Sequence, residues 1–208
     1  MLSIKKIVCA FPISLLVYAL ACLGIVILEY MLASIYKART FEEQGPVENL
    51  QLILLLMASA LFFAKSIHEK RFARSCLCFT GMCLFAIGRE LDSFLDKNIG
   101  FIGWKIAFVM LIAPGVYCIL DWRRTLMEFM VIARKRSFTL MYCAVIVLLP
   151  IAQCIGHKPF IINVLETSHV GLIKELIEES IETIGYFLVL CSSVELSMMQ
   201  KYTKKKHS

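Results

Sequence analysis

Long apolar runs alternate with short polar segments along the chain, and this alternation predicts its secondary structure. Six runs have membrane-spanning length, at residues 7–28, 47–64, 75–92, 103–120, 138–155 and 177–199. A helix rises about 1.5 Å per residue, so about 20 residues cross a hydrocarbon core of about 30 Å. Hydrophobic residues make up 59% of the chain, and the connections are brief. We therefore predict an all-α fold: a polytopic membrane helical bundle of six transmembrane helices, forming one integral membrane domain over residues 1–208.

The basic residues predict the orientation of this bundle, because Lys and Arg concentrate in cytoplasmic segments. The N-terminal segment, the second and fourth connections and the C-terminal tail hold 15 of the 22 Lys and Arg residues. The alternate segments hold the other 7, together with 12 of the 16 acidic residues. We expect both termini to be cytoplasmic, in a multi-pass membrane protein.

The same bias accounts for the net charge of +6, so the charge does not indicate nucleic-acid binding. The basic inner segments and the tail "KYTKKKHS" are expected to contact membrane lipids, through anionic headgroups at the cytoplasmic face. All nine cysteines lie inside or at the edge of apolar runs, so we expect no disulfide framework. The pattern leaves the oligomeric state open, as a homo-oligomer or a complex with another membrane protein.

Ionisable residues gather at the outer ends of four predicted spans. Counting about 20 residues outward from the basic inner ends places Glu29 about one turn outside the outer boundary and Glu182 just inside it. At the start of the sixth span and just before it, Glu175, Glu178, Glu179 and Glu182 fall at i, i+3, i+4 and i+7, on one side of a helix. The residues predicted to bind a ligand are Glu48, Arg89, Glu90, Glu178, Glu179, Glu182 and, one turn further in, Tyr186.

These residues allow two interpretations. Charges within a span face the bundle interior or a wet cavity and tend to pair, and Arg89 is the obvious counter-charge because guanidinium holds a carboxylate in a two-pronged contact. One arginine cannot neutralise five glutamates, however. The others must take up protons or bind a cation. A structural ion-pair lock and a working site therefore both remain open.

Enzyme motifs are mostly missing. The sequence has no Walker-type glycine loop, no GxSxG and no HExxH. A three-histidine zinc site cannot form, because the four histidines divide equally between the two predicted faces. A single histidine with several carboxylates favours a hard ion such as Mn, Ca or Mg. The metal-ligating candidates are Glu182, Glu178 and His169, with a divalent cation as the cofactor, and the catalytic residues stay unknown.

Three segments, "EEQGPVENLQ", "GRELDSFLDK" and "EESIETIGYFL", carry a resemblance to a known pattern. They resemble uncharacterised bacterial multi-pass inner-membrane proteins, in which a Glu-x-Gly-x-x-Glu opening precedes one span and a Glu-Glu-x-x-Glu segment opens another. Glu43, Gly45 and Glu48 match the first motif, and Glu178, Glu179 and Glu182 match the second. The resemblance covers about 30 residues and implies that the acidic positions belong to the pattern. It brings no known activity.

The prediction we favour is a small inner-membrane protein whose outward-facing acidic pocket binds a cation or polar ligand, for transport or sensing. One alternative is a metal-dependent lipid hydrolase or transferase at the outer leaflet, which needs His169 and a metal. The other is a structural or partner-binding membrane subunit, which predicts complete charge pairing and no cavity. Transport additionally needs a polar path past Tyr186.

Overall fold

The computed structural model describes residues 4–41, 45–99, 105–155 and 170–204, with side chains for most positions between 16 and 199. All the regular elements in these ranges are helices, which confirms the all-α prediction. They are α1 Ile4–Tyr36, α2 Pro46–His68, α3 Ala73–Glu90, α4 Asp92–Ile99, α5 Ala107–Leu120, α6 Trp122–Ala133, α7 Arg136–Ile146, α8 Ala152–Ile155 and α9 Val170–Lys204. A 3₁₀ turn, Lys37–Thr40, follows α1, and a π turn, Val147–Ile151, joins α7 to α8.

Among the residues that the structure describes, three helices are long and apolar enough to cross a membrane, which supports a membrane protein. They are Leu16–Tyr36 within α1, the whole of α2, and Ile173–Met199 within α9, corresponding to the first, second and sixth predicted spans. The other three predictions fall on shorter elements. Helix α3 has 18 residues and α5 has 14, or about 27 Å and about 21 Å of helix.

Helix α2 is central to the packing. It lies between α3 and α9, while α3 packs on α5, and α9 packs on α7 and its π turn. The core these helices share includes Leu55, Phe62, Phe79, Tyr186 and Leu196. Helix α1 contacts the bundle mainly through α9. Its exposed apolar side chains suit a lipid-facing helix.

Two glycines let α3 and α5 approach closely. A Cβ atom at Gly81 would lie 2.5 Å from the carbonyl oxygen of Met110 and 2.7 Å from Cγ of Pro114. A Cβ at Gly88 would overlap the side chain of Ala107. Small residues at such positions allow tight packing between membrane helices, where apolar burial gives little driving force.

A buried glutamate attaches α6 to the first turn of α3. One oxygen of Glu128 accepts the backbone N–H groups of Arg74 and Ser75, both at 3.1 Å. The first N–H groups of a helix have no partner within it, and a negative charge there also suits the helix dipole. This contact anchors the predicted inner connection against the end of α3 that lies furthest from Arg89.

Candidate functional site

The first turn of α2, the last turn of α3 and the first half of α9 meet at one end of the bundle. They line an open cleft of about 620 Å³, which we call the acidic cleft. Its carboxylates are Glu48, Glu90, Asp92, Glu175, Glu178, Glu179 and Glu182, its basic groups are Arg89 and Lys174, and Phe41 completes the lining. When all are ionised, this lining carries five more negative than positive charges.

Arg89 joins α3 to α9 at the base of the acidic cleft. Its Nη2 atom lies 2.7 Å from Oε2 of Glu182 and 2.9 Å from Oε1 of Glu90. Both carboxylates are buried, with side chains 4% and 8% exposed, whereas the arginine side chain is 38% exposed. One guanidinium therefore faces two buried carboxylates and also remains open to the cleft.

Tyr186 closes this network from the interior side. Its hydroxyl donates to Oε1 of Glu90 at 2.5 Å and lies 3.4 Å from Nη2 of Arg89. The same Glu90 oxygen also accepts from Nε of Arg89 at 3.3 Å. Buried networks in which each member has partners are rigid, so the base of the cleft is preorganised.

A second network ties α2 to α9. Gln51 is fully buried, and its Nε2 atom lies 2.9 Å from Oε2 of Glu179, 3.1 Å from the Glu179 carbonyl oxygen and 3.1 Å from Oγ1 of Thr183. The Thr183 hydroxyl donates to the Glu179 carbonyl at 2.8 Å. Glu179 therefore belongs both to the cleft and to the helix interface beneath it.

The outer part of the cleft is more solvated. Nζ of Lys174 lies 2.6 Å from Oε2 of Glu178, and both side chains are about a quarter exposed. Such exposed pairs contribute about 0–1 kcal/mol. Glu48, in the first turn of α2, faces Glu178 and Glu179 across the cleft.

The structure brings the predicted residues together. Six of the seven line one cleft, and Tyr186 contacts two of them. Lys174 and Asp92 also line the cleft but were not among the predicted ligand-binding residues, although the i, i+4 spacing of Lys174 and Glu178 was a usable signal. Sequence reasoning also missed Thr183, a threonine in an apolar run that carries no distinctive signal.

The metal prediction gains no support from the described residues. Within residues 4–41, 45–99, 105–155 and 170–204, no group of three or more His, Cys, Asp or Glu side chains is placed to hold a metal ion. Of the candidates, Glu182 contacts Arg89 and Glu178 contacts Lys174. His169 lies outside the described residues.

A second opening, the apolar cavity, lies beneath Arg89 and Tyr186. It has a volume of about 260 Å³, and apart from these two residues its lining is apolar, including Leu55, Met82 and Leu148. Arg89 borders both openings. The path inward past Tyr186 is therefore apolar in the part of the chain that the structure describes.

No family model matches the chain, and comparison with curated proteins and with solved structures finds no similar protein. The acidic cleft and the apolar cavity are therefore the basis for a functional assignment.

Proposed function

We propose that this chain is a multi-pass bacterial inner-membrane protein that binds an organic cation in the acidic cleft. The observation that carries the proposal is a lining of seven carboxylates against two basic groups. The volume of about 620 Å³ lies within the range of about 300–1,000 Å³ that small-molecule sites occupy. An ammonium or guanidinium group suits such a lining, because it offers several N–H donors to separate carboxylates. It does not need the tight convergence of ligands that a metal ion requires.

The other two interpretations are less well supported. A structural ion-pair lock predicts paired carboxylates and no cavity, whereas the cleft is open and acidic in excess. A lipid hydrolase or transferase needs a metal and His169, and the described residues contain no group of three or more His, Cys, Asp or Glu side chains placed to hold a metal ion. We therefore assign no catalytic residues.

The apolar cavity favours a ligand with an apolar group attached to its cationic head. Arg89 borders both openings, so a single molecule can place its charge among the carboxylates and its apolar part beside Tyr186. The same cavity favours sensing over transport, because an apolar path past Tyr186 gives a cation no polar groups to follow.

We also propose that α3, α5 and α7 cross the membrane with the three long helices, giving six spans. The acidic cleft then faces outward and both termini are cytoplasmic. Support comes from the packing of α3 against α2 and of α5 against α3, and from Arg74 and Arg124, which lie at the opposite end of α3 from Arg89. The basic inner segments contact anionic lipid headgroups.

The test uses the purified full-length chain and its thermal unfolding at constant ionic strength. Phenethylamine, methylamine and phenethyl alcohol are compared, so that charge and apolar group are varied separately. We expect a saturable rise in melting temperature with phenethylamine, a smaller one with methylamine and none with the alcohol, because a ligand stabilises the state it binds.

The variant Glu182→Gln should lose most of the amine response. Its matched control is Glu195→Gln, which changes a carboxylate at the opposite end of the same helix and should keep the response. If wild type does not respond to either amine, or if Glu182→Gln responds as wild type does, the proposal is wrong.

A further inference from the structure

Glu29 is the one buried residue among the described side chains of α1, and it is a carboxylate. It is 5% exposed, while the apolar residues around it on α1 face outward. The hydroxyl groups of Ser180 and Thr183 on α9 are near its carboxylate, and the Thr183 hydroxyl donates its proton to the carbonyl oxygen of Glu179. The structure thus places Glu29 inside the bundle, beside the turn of α9 that carries Glu182, whereas depth counting predicted that Glu29 lies further out than Glu182.

One oxygen of this carboxylate is unsatisfied. Oε1 of Glu29 is buried and has no hydrogen-bond partner among the described residues. The nearby basic groups of the acidic cleft contact other carboxylates, since Arg89 binds Glu90 and Glu182, and Lys174 binds Glu178. A buried carboxylate with an unsatisfied oxygen and no counter-charge is strongly destabilising and calls for an explanation.

A second unsatisfied oxygen lies beside the same turn of α9. Gln51 is fully buried, and its Oε1 atom also has no donor in the described part of the chain. Its amide cannot be turned round, because Nε2 donates to both the carbonyl and the carboxylate of Glu179. Thr183 connects Glu29 and Gln51. Its hydroxyl is near the Glu29 carboxylate and accepts from Nε2 of Gln51 at 3.1 Å.

We propose that Glu29, Gln51 and the hydroxyls of Ser180 and Thr183 form a binding site for an alkali-metal cation, Na⁺. The four groups offer oxygen only, which is the ligand type that hard cations prefer. One carboxylate balances one positive charge, whereas a divalent ion would leave an uncompensated charge in a low-dielectric interior. The bound ion joins α1, α2 and α9, and gives α1 a polar attachment to a bundle that it otherwise contacts little.

The Na⁺ site does not depend on the proposal that the acidic cleft binds an organic cation, although Glu179 connects the site to the cleft. The carboxylate of Glu179 lines the acidic cleft and also accepts a hydrogen bond from Gln51. Binding of Na⁺ therefore orders a residue of the cleft, and we expect Na⁺ and the organic cation to change one another's affinity.

The test is thermal unfolding of the full-length chain in NaCl, KCl and CsCl at matched ionic strength, at two pH values. Wild type should show a saturable rise in melting temperature with Na⁺ and none with Cs⁺. Glu29→Gln should abolish the Na⁺ response and melt at or above wild type in CsCl, because it removes the unpaired charge. Ser180→Ala is a milder change, for the case where Glu29→Gln does not fold. It should raise the half-saturating Na⁺ concentration about tenfold, which corresponds to a loss of about 1.4 kcal/mol of binding free energy.

Two controls separate this site from its surroundings. Glu195→Gln alters the other α1–α9 contact, in which the Tyr18 hydroxyl donates to Glu195, and should keep the Na⁺ response. Glu182→Gln should also keep it while losing the amine response. A Na⁺ response that persists in Glu29→Gln overturns the proposal. The proposal is also wrong if acid raises the melting temperature of wild type and Na⁺ does not, because a proton then neutralises Glu29.

Discussion

Removing the side chain of Arg89 tests the core of the candidate site most directly. In Arg89→Ala, Glu90 and Glu182 lose the guanidinium that lies 2.9 and 2.7 Å from them. Both carboxylates stay buried, so the mutation leaves two neighbouring negative charges without this cation. Breaking a buried pair in this way costs about 3–5 kcal/mol. The arginine side chain is 38% exposed, and water reaching the site lowers our expectation to about 2–3 kcal/mol.

The assay is reversible thermal unfolding of the purified protein in mixed micelles, and the melting temperature is measured. For a chain of this size, 1 kcal/mol corresponds to about 2–4 °C, so the melting temperature should fall by about 4–12 °C. The double variant Arg89→Ala/Glu182→Gln should recover part of this loss, because it removes one of the unpaired charges. Arg134→Ala, at an exposed arginine, is the control and should stay within about 0.5 kcal/mol of wild type.

Two results would refute this account of Arg89. If Arg89→Ala melts like wild type, the guanidinium is simply solvated and contributes no net stability. If the single variant is destabilised but the double variant recovers nothing, the loss comes from packing of the arginine stem and not from unpaired carboxylates.

Four further changes test other parts of the structure. Tyr186→Phe removes one hydrogen bond to a buried carboxylate and should cost about 1–3 kcal/mol in unfolding free energy. Gly88→Leu should separate α3 from α5 and cost about 1–3 kcal/mol or more, whereas Gly115→Leu, where a Cβ meets nothing within 4 Å, should be nearly neutral. Glu128→Ala should lower the unfolding free energy by about 1–2 kcal/mol, because α3 loses its N-terminal acceptor. Topology reporters fused at both termini should report cytoplasm, and one inserted after residue 156 should report the outside.

For each of these four predictions, one outcome would contradict the physical reason given. An unchanged melting temperature in Tyr186→Phe means that the hydroxyl finds water as an equal partner. Equal destabilisation by leucine at positions 88 and 115 removes the close-approach explanation, and a neutral Glu128→Ala means that solvent satisfies the first turn of α3. A cytoplasmic signal after residue 156 would move the acidic cleft to the inner face.

The local pattern predicted that the fold is all-helical. A long apolar run in lipid forms a helix, because a helix satisfies each backbone polar group within its own segment. The predicted second and sixth spans lie within α2 and α9. The grouping of Glu178, Glu179 and Glu182 on one side of α9 was also predictable, because helical periodicity depends only on spacing along the chain.

The partners of those side chains were decided by tertiary packing. Arg89 meets Glu182 across 93 positions, and Gln51 meets Glu179 across 128; no spacing rule relates residues so far apart. Counting residues outward placed Glu29 further out than Glu182, because such counting ignores how neighbouring helices are offset against each other. The role of Glu128 as an acceptor for α3 was equally unpredictable from the sequence, because its hydrogen-bond donors are backbone N–H groups of another helix. Sequence periodicity determines which face of a helix is polar, but only the packing of helices decides which charges on those faces come within contact.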